Sequence, residues 1–84
     1  MRRLDSSAAE RLARQALEQS EALASKLLIA AVCWDLTRAL VHQDKPTDAL
    51  PYARRAVALL TDLRSPDLPA AIELLEKLEG VARP

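Results

Sequence analysis

The two side chains best suited to nucleophilic chemistry in this 84-residue chain are its one cysteine, Cys33, and its one histidine, His42. A thiol becomes a good nucleophile when a neighbouring imidazole takes its proton, so the two must face each other. Nine residues along a helix amount to about 900°, half a turn out of phase, and the pair therefore points to opposite sides. The spacing reads instead as a small buried cysteine and a histidine at a helix end, interacting with the dipole there. A single cysteine closes no internal disulfide and builds no metal site alone. The chain has no glycine-rich phosphate loop, no clustered metal ligands and no nucleophile elbow. Neither an enzyme nor a bound cofactor is expected.

The remaining candidates suit recognition rather than reaction. Trp34 is the only tryptophan; Arg38 follows four residues later, about 40° around a helix, and His42 comes one turn beyond. With Ala31, Asp35 and Val41 they make a stripe beside the packing positions Cys33, Leu36 and Leu40. Tryptophan and arginine are the side chains most enriched in binding hot spots. The competing reading is that Trp34 is an ordinary core residue whose indole N–H is satisfied locally. Arg54, Arg55 and Arg64 could suggest a nucleic-acid patch, but no aromatics are interleaved with them, and 12 Lys and Arg balance 12 Asp and Glu. A solvated outer face is expected there, with no nucleic-acid partner.

The elements that must carry this stripe are helical. The chain holds sixteen each of Ala and Leu, one Gly, five Pro and no Phe, and no stretch alternates β-branched or aromatic residues as a strand would. Half the residues are apolar and 29% are charged, which excludes a disordered tail, and no apolar run is long enough to span a membrane. Ser7-Ala8-Ala9-Glu10 fits a capping box opening a first helix, with Leu12, Ala13, Ala16 and Leu17 as its apolar stripe. No Gly or Pro falls between Ser7 and Asp44, so either one helix of more than thirty residues runs through or the chain turns between Gln19 and Ser25, and the turn is favoured. A second helix covers Leu27 to about His42, with Leu28, Val32, Leu36, Ala39 and Leu40 inward. Asp44-Lys45-Pro46-Thr47 opens a third, to about Leu63, with a slight distortion at Pro51. After Ser65-Pro66-Asp67-Leu68-Pro69, a fourth runs to about Glu79 with Leu68, Ile72, Leu75 and Leu78 on one face, ended by Gly80 in a left-handed cap.

Sliding the chain by forty residues brings Ala9, Ala13, Arg14 and Ala16 onto Ala49, Ala53, Arg54 and Ala56. The match continues from Leu23, Ser25, Leu28, Ala30, Ala31 and Val32 to Leu63, Ser65, Leu68, Ala70, Ala71 and Ile72. Ser65-Pro66 is a clear break, which predicts one at Ser25-Lys26 too. This helix-turn-helix unit resembles the tetratricopeptide repeat, in its longer-helix variety from bacterial signalling and regulatory proteins. Cys33, Leu36-Thr37 and Leu40 stand in the first-helix series of that motif, and Ala49, Ala53, Ala56 and Thr61 in the second. Thr37, Ala53 and Thr61 replace its glycine, aromatic and proline. The resemblance covers one unit from about Ala30 to Leu63 with a half-unit on either side. It implies antiparallel α-hairpins in a right-handed superhelix, with the Trp34 stripe lining a groove for a protein or peptide partner. Trp34, Asp35 and Arg38 do not reproduce the lysine and asparagine clamp by which some members of the family grip acidic tails.

Leu68, Ala71, Ile72, Leu74, Leu75 and Leu78 cover more of the fourth helix than one stripe against the third requires, whereas a terminal repeat should have a polar outer side. Self-association through this helix, or membership of a longer array, would account for that. The expectation is a single all-α domain over 1–84, an interaction module without catalysis, with a homodimer as the alternative. The opening Met1-Arg2-Arg3-Leu4-Asp5 has no apolar segment behind it, so a cytoplasmic chain is expected.

Overall fold

The computed structural model describes residues 6–82, which form four helices: α1 (Ser6–Ala22), α2 (Lys26–His42), α3 (Pro46–Asp62) and α4 (Leu68–Ala82). The opening Met1-Arg2-Arg3-Leu4-Asp5, from which a cytoplasmic chain was expected, lies outside these residues. The fold is all-α, and each three-residue turn reverses the chain, so α1–α2 and α2–α3 are antiparallel hairpins. Each helix packs on its neighbour in sequence.

The first three helices have the same length and the same ending. Ala24, Asp44 and Arg64, twenty residues apart, take left-handed backbone with φ of 53°, 60° and 52°. The amides of Ser25, Lys45 and Ser65 reach back to the carbonyls of Ser20, Leu40 and Leu60 at 3.3, 2.9 and 3.0 Å, and those of Ala24, Asp44 and Arg64 to Glu21, Val41 and Thr61. This pair of bonds is the Schellman closure, which satisfies the last carbonyls of a helix. The turn predicted between Gln19 and Ser25 is therefore present, and the Ser25 hydroxyl caps α2 by accepting from the Leu28 amide at 3.3 Å.

The core is built of small and medium side chains. Cys33, Leu36, Leu40, Ala49 and Ala56 are completely buried, joined by Ala13, Leu17, Ile29 and Leu78, while Ala30, Leu60 and Ala71 tie α2, α3 and α4 together. The hydroxyls of Ser20, Thr37 and Thr61 donate to the carbonyls of Ala16, Cys33 and Val57, one turn back, so no polar group is stranded by burying Ser20 and Thr37.

Several expectations are corrected. Ser7 lies one residue inside α1, which is already helical at Ser6. Leu12 is 63% exposed and Leu28 44%, so neither belongs to the inward stripe; Ser20 takes the inward place in α1. Gly80 does not end α4: the helix runs on to Ala82, and Gly80 has no positive φ.

The forty-residue repeat relates α1 to α3 but slips at α4. Pro66 and Asp67 add a turn, so the first helical bond of α4 is donated by the Ala71 amide to the Asp67 carbonyl, where that of α2 is donated by the Ile29 amide to the Ser25 carbonyl. As a result Ala71, Leu74, Leu75 and Leu78 face inward as Ile29, Val32, Cys33 and Leu36 do, at a spacing of forty-two residues.

Candidate interaction groove

Between α1 and α2 runs a groove of about 730 Å³. Its α1 wall is Ala9, Leu12, Ala13 and Ala16; its α2 wall is Asp35, Arg38, Ala39 and His42. The alanines recur every three or four residues, which keeps them on one face of the helix and leaves room where larger side chains would fill it. Leu12 stands out at the edge with most of its surface in water.

The repeat shows what such a face does elsewhere in the molecule. Forty residues on, Ala9, Ala13 and Ala16 become Ala49, Ala53 and Ala56, and there they are 0%, 1% and 0% exposed. That burial arises because α3 is covered on two sides, by α2 and by α4. Helix α1 packs on α2 and meets α3 only through polar side chains, and its Ala9 and Ala16 remain half-exposed. Small residues let helices approach closely, so this face has the shape of a helix seat that no helix of the described chain fills.

Of the stripe proposed for partner contact, Asp35, Arg38 and His42 line the groove and are exposed. Trp34 does not line it. Its half-buried ring packs against Ala30, Leu60 and Ala71 on the other flank of α2, and Val41 is likewise half-buried against the core. Trp34 therefore serves largely as a packing residue. Ala31 is exposed, outside the groove wall. Arg38 connects the two flanks: its guanidinium lies 5.9 Å from the Trp34 ring centroid and 3.2 Å from the Asp35 carboxylate, which holds the positive charge along the groove rim.

The groove wall of α1 was the part that sequence reasoning missed. Its signal was available in the alanine spacing, but Leu12 and Ala16 read as core because an apolar helical stripe does not say which of its members a neighbour covers.

The far side of α1 is held by polar contacts. Arg14 donates to Glu10 at 2.8 Å and to the Tyr52 hydroxyl at 2.8 Å, with its guanidinium 5.5 Å from the Tyr52 ring centroid. Gln43 donates to Glu10 at 2.8 Å, and the Lys45 ammonium is 3.7 Å from the same carboxylate. The Gln43 hydrogen bond, followed by that of Arg14, holds the Glu10 carboxyl below its ordinary pKa. Arg55 pairs with Glu21 at 2.9 Å and Arg54 with Glu79 at 3.6 Å, so the arginines of α3 bind the helices beside it.

Cys33 is completely buried, and that burial pushes its thiol above the ordinary value; His42 is exposed on the groove rim. No group of three His, Cys, Asp or Glu side chains converges on one point among the described residues. No helix among them is long and apolar enough to cross a membrane.

On α4, the residues proposed for self-association divide. Ala71 and Leu78 are 1% and 4% exposed and belong to the intramolecular core, so they offer nothing to a second chain. Leu68, Leu74 and Leu75 are half-buried, and Ile72 is 40% exposed. The broad apolar face is used mainly at home, because α4 meets α2 as well as α3.

Comparison of the chain with models of known protein families, with characterised proteins and with solved structures returned no match.

Proposed function

We propose that this chain is a non-catalytic protein-protein interaction module, its hairpins paired in the manner of tetratricopeptide repeats, that takes a partner helix or peptide into the α1–α2 groove. The observation that carries the reading is the alanine face of α1, whose counterpart on α3 is completely buried under neighbouring helices. Arg38, braced by Asp35 and Trp34, supplies a fixed cation at the rim, and Leu12 an apolar contact. The inert, buried Cys33 and the distant His42 support a role without covalent chemistry. We place the module in the cytoplasm, away from nucleic acid and membrane, on its balanced charge and single unpaired thiol.

A photo-crosslinking residue at Leu12 tests this in the producing cell. It should form a discrete adduct that Ala16→Glu abolishes, whereas the same residue at Ala58, exposed on α3, should not. A pattern of adducts indifferent to Ala16→Glu would overturn the groove reading.

The second reading, self-association through α4, has Ile72 in its favour. Its exposed surface adjoins the half-buried Leu68 and Leu75.

A further inference from the structure

Helix α1 is attached to the molecule differently from the helices that follow it. Of its residues Ala13, Leu17 and Ser20 are buried, against seven in α2 and five in α3, and its Leu12 and Leu23 are 63% and 70% exposed. Helix α4 enters both parts of the core, through Leu78 and Ala71, whereas α1 enters one. A polar clasp centred on Glu10, whose side chain is 17% exposed, makes up the difference. Its carboxylate accepts from Gln43, the closing residue of α2, and from Arg14, each at 2.8 Å, and lies 3.7 Å from the Lys45 ammonium ahead of α3. The charges acting on Glu10 are thus Arg14 of its own helix and Lys45 of the α2–α3 turn; α2 contributes the neutral Gln43 amide, and α3 reaches it through the Tyr52 hydroxyl on Arg14. Under α1 lies the Cys33 face of α2. Ala13 and Leu17 pack in one cluster with Ile29, Cys33, Leu36 and Leu40, and the charged groups near enough to act on the Cys33 thiol are Glu21 of α1 and Arg55 of α3.

We infer that α1 is a hinged cover, which opens as a unit about the turn at Ala24 while α2, α3 and α4 stay folded, with the Glu10 clasp as its acid-released latch and the Cys33 face of α2 as the surface it uncovers. A segment with few buried apolar side chains and solvent-facing ties opens at a lower free energy than the core. A single helix of this length is marginal in water, so α1 gives up its own hydrogen bonds once it leaves α2. The latch works through charge. It holds above the ordinary carboxyl range and is lost as the pH falls through the lowered pKa of Glu10, because the protonated group no longer draws in Arg14 and Lys45. Opening also removes one wall of the groove, and does so whether or not a partner binds there.

Hydrogen exchange of the backbone amides, followed by NMR on the full chain, tests the cover. Amides from Leu12 to Gln19 should share one protection factor, about tenfold or more below that of Ala53 to Leu60 in α3. Val57→Ala loosens the part of the core around Ala30, Leu60 and Ala71, which holds no α1 residue; it should lower the protection of α3 and α4 and leave that of α1 unchanged. Glu10→Gln and Gln43→Ala undo the clasp from its two sides. Each should lower the protection of α1 severalfold at neutral pH, and that of α3 by the same factor, since global unfolding breaks the clasp as well; the Glu10→Gln difference should vanish in acid. The thiol reads the same opening. Modification of Cys33 by a pyridyl disulfide, relative to the urea-unfolded chain, should be slowed by the α1 factor rather than the α3 factor. Equal protection of α1 and α3, or an α1 that weakens with α3 in Val57→Ala, would show that the chain opens only as a whole and overturn the cover. Unaltered α1 protection in both clasp variants would overturn the latch, and a thiol as protected as α3 would overturn the placing of Cys33 beneath α1.

Discussion

Helices α1 and α3 share their length, their left-handed closing residue and their alanines, yet they live in different surroundings. Position for position, Ala49, Ala53 and Ala56 sit at the centre of the molecule, while of their counterparts only Ala13 is buried and Ala9 and Ala16 stay half-exposed along the groove. Where α3 places the buried Leu50 and Leu60, α1 places Glu10 and Ser20. Glu10 is wired to Gln43, Arg14 and Lys45, and Ser20 bonds back to Ala16. The comparison teaches that the repeat specifies backbone and close-approach surfaces, whereas the remaining positions are set by how many neighbours a helix has.

The largest test of this difference is truncation at the helix ends. Leu60, 5% exposed among Ala30 and Ala71, joins three helices, and Leu60→Ala should cost about 2–5 kcal/mol, as for other deeply buried leucines. Ser20→Ala at the equivalent place in α1 removes one hydroxyl that bonds only within its own helix, and should change stability by less than about 1 kcal/mol. Urea melts of both variants check the contrast. Equal losses would mean that α1 is as tightly enclosed as α3.

Overpacking comes next. Ala56→Leu forces extra methyl groups into a place with no exposed surface and should destabilise by about 1–3 kcal/mol. Ala16→Leu adds the same bulk beside an open groove and should stay within about 0.5 kcal/mol of the parent. If Ala16→Leu were as harmful, the groove would be closed in solution.

The shared backbone gives a prediction of sameness instead. Ala24 and Arg64 end α1 and α3 with nearly identical positive φ, a conformation unfavourable for any side chain but free for glycine. Ala24→Gly and Arg64→Gly should each raise stability, by up to about 1 kcal/mol, and by similar amounts in thermal melts. A gain at one site alone would show that packing, not backbone, governs these turns.

These turns also show how much the sequence disclosed. Four helices, their order and most of their limits followed from proline breaks, Ser25 and Ser65, and helical periodicity. The left-handed positions did not, because glycine is their usual sign and here Ala24, Asp44 and Arg64 hold them while Gly80 sits inside a helix. The slip of α4 was hidden for a related reason: Ala70 and Ala71 align well with Ala30 and Ala31, but Pro66-Asp67 turns the helix and buries Ala71 in place of Ala70. Half of the candidate site was legible, since Asp35, Arg38 and His42 share a helix face, and phase within one helix is readable. Burial between helices was not, which is why Trp34 was expected in the groove and Ala9, Leu12 and Ala16 were not.

A polar difference between the two helices is testable by acid. The Glu10 carboxyl is held below its ordinary value of 4.5, first by the Gln43 hydrogen bond and then by Arg14. A lowered folded-state pKa means that this contribution to stability is present above the ordinary value and is lost as the pH falls through the lowered one. Glu10→Gln should therefore be less stable than the parent at neutral pH, and the two should converge as acid is added. A gap that persisted unchanged into strong acid would show that the carboxylate charge plays no part.

The smallest effect concerns an ion pair that joins the compared helices directly, Arg55 of α3 with Glu21 of α1 at 2.9 Å. Both side chains keep over two-fifths of their surface in water, so solvent and salt screen the pair, and exposed pairs contribute only about 0.2–1 kcal/mol. Single substitutions to alanine mix that coupling with changes in packing, because the Arg55 stem also covers apolar surface. A double-mutant cycle with Arg55→Ala and Glu21→Ala isolates it. The coupling should fall within that range at low salt and shrink in high salt. Its absence would leave Arg14 and Tyr52, with the core contacts through α2, as what holds α1 to α3, and α1 would then be the helix whose position an occupant of the groove could most easily adjust.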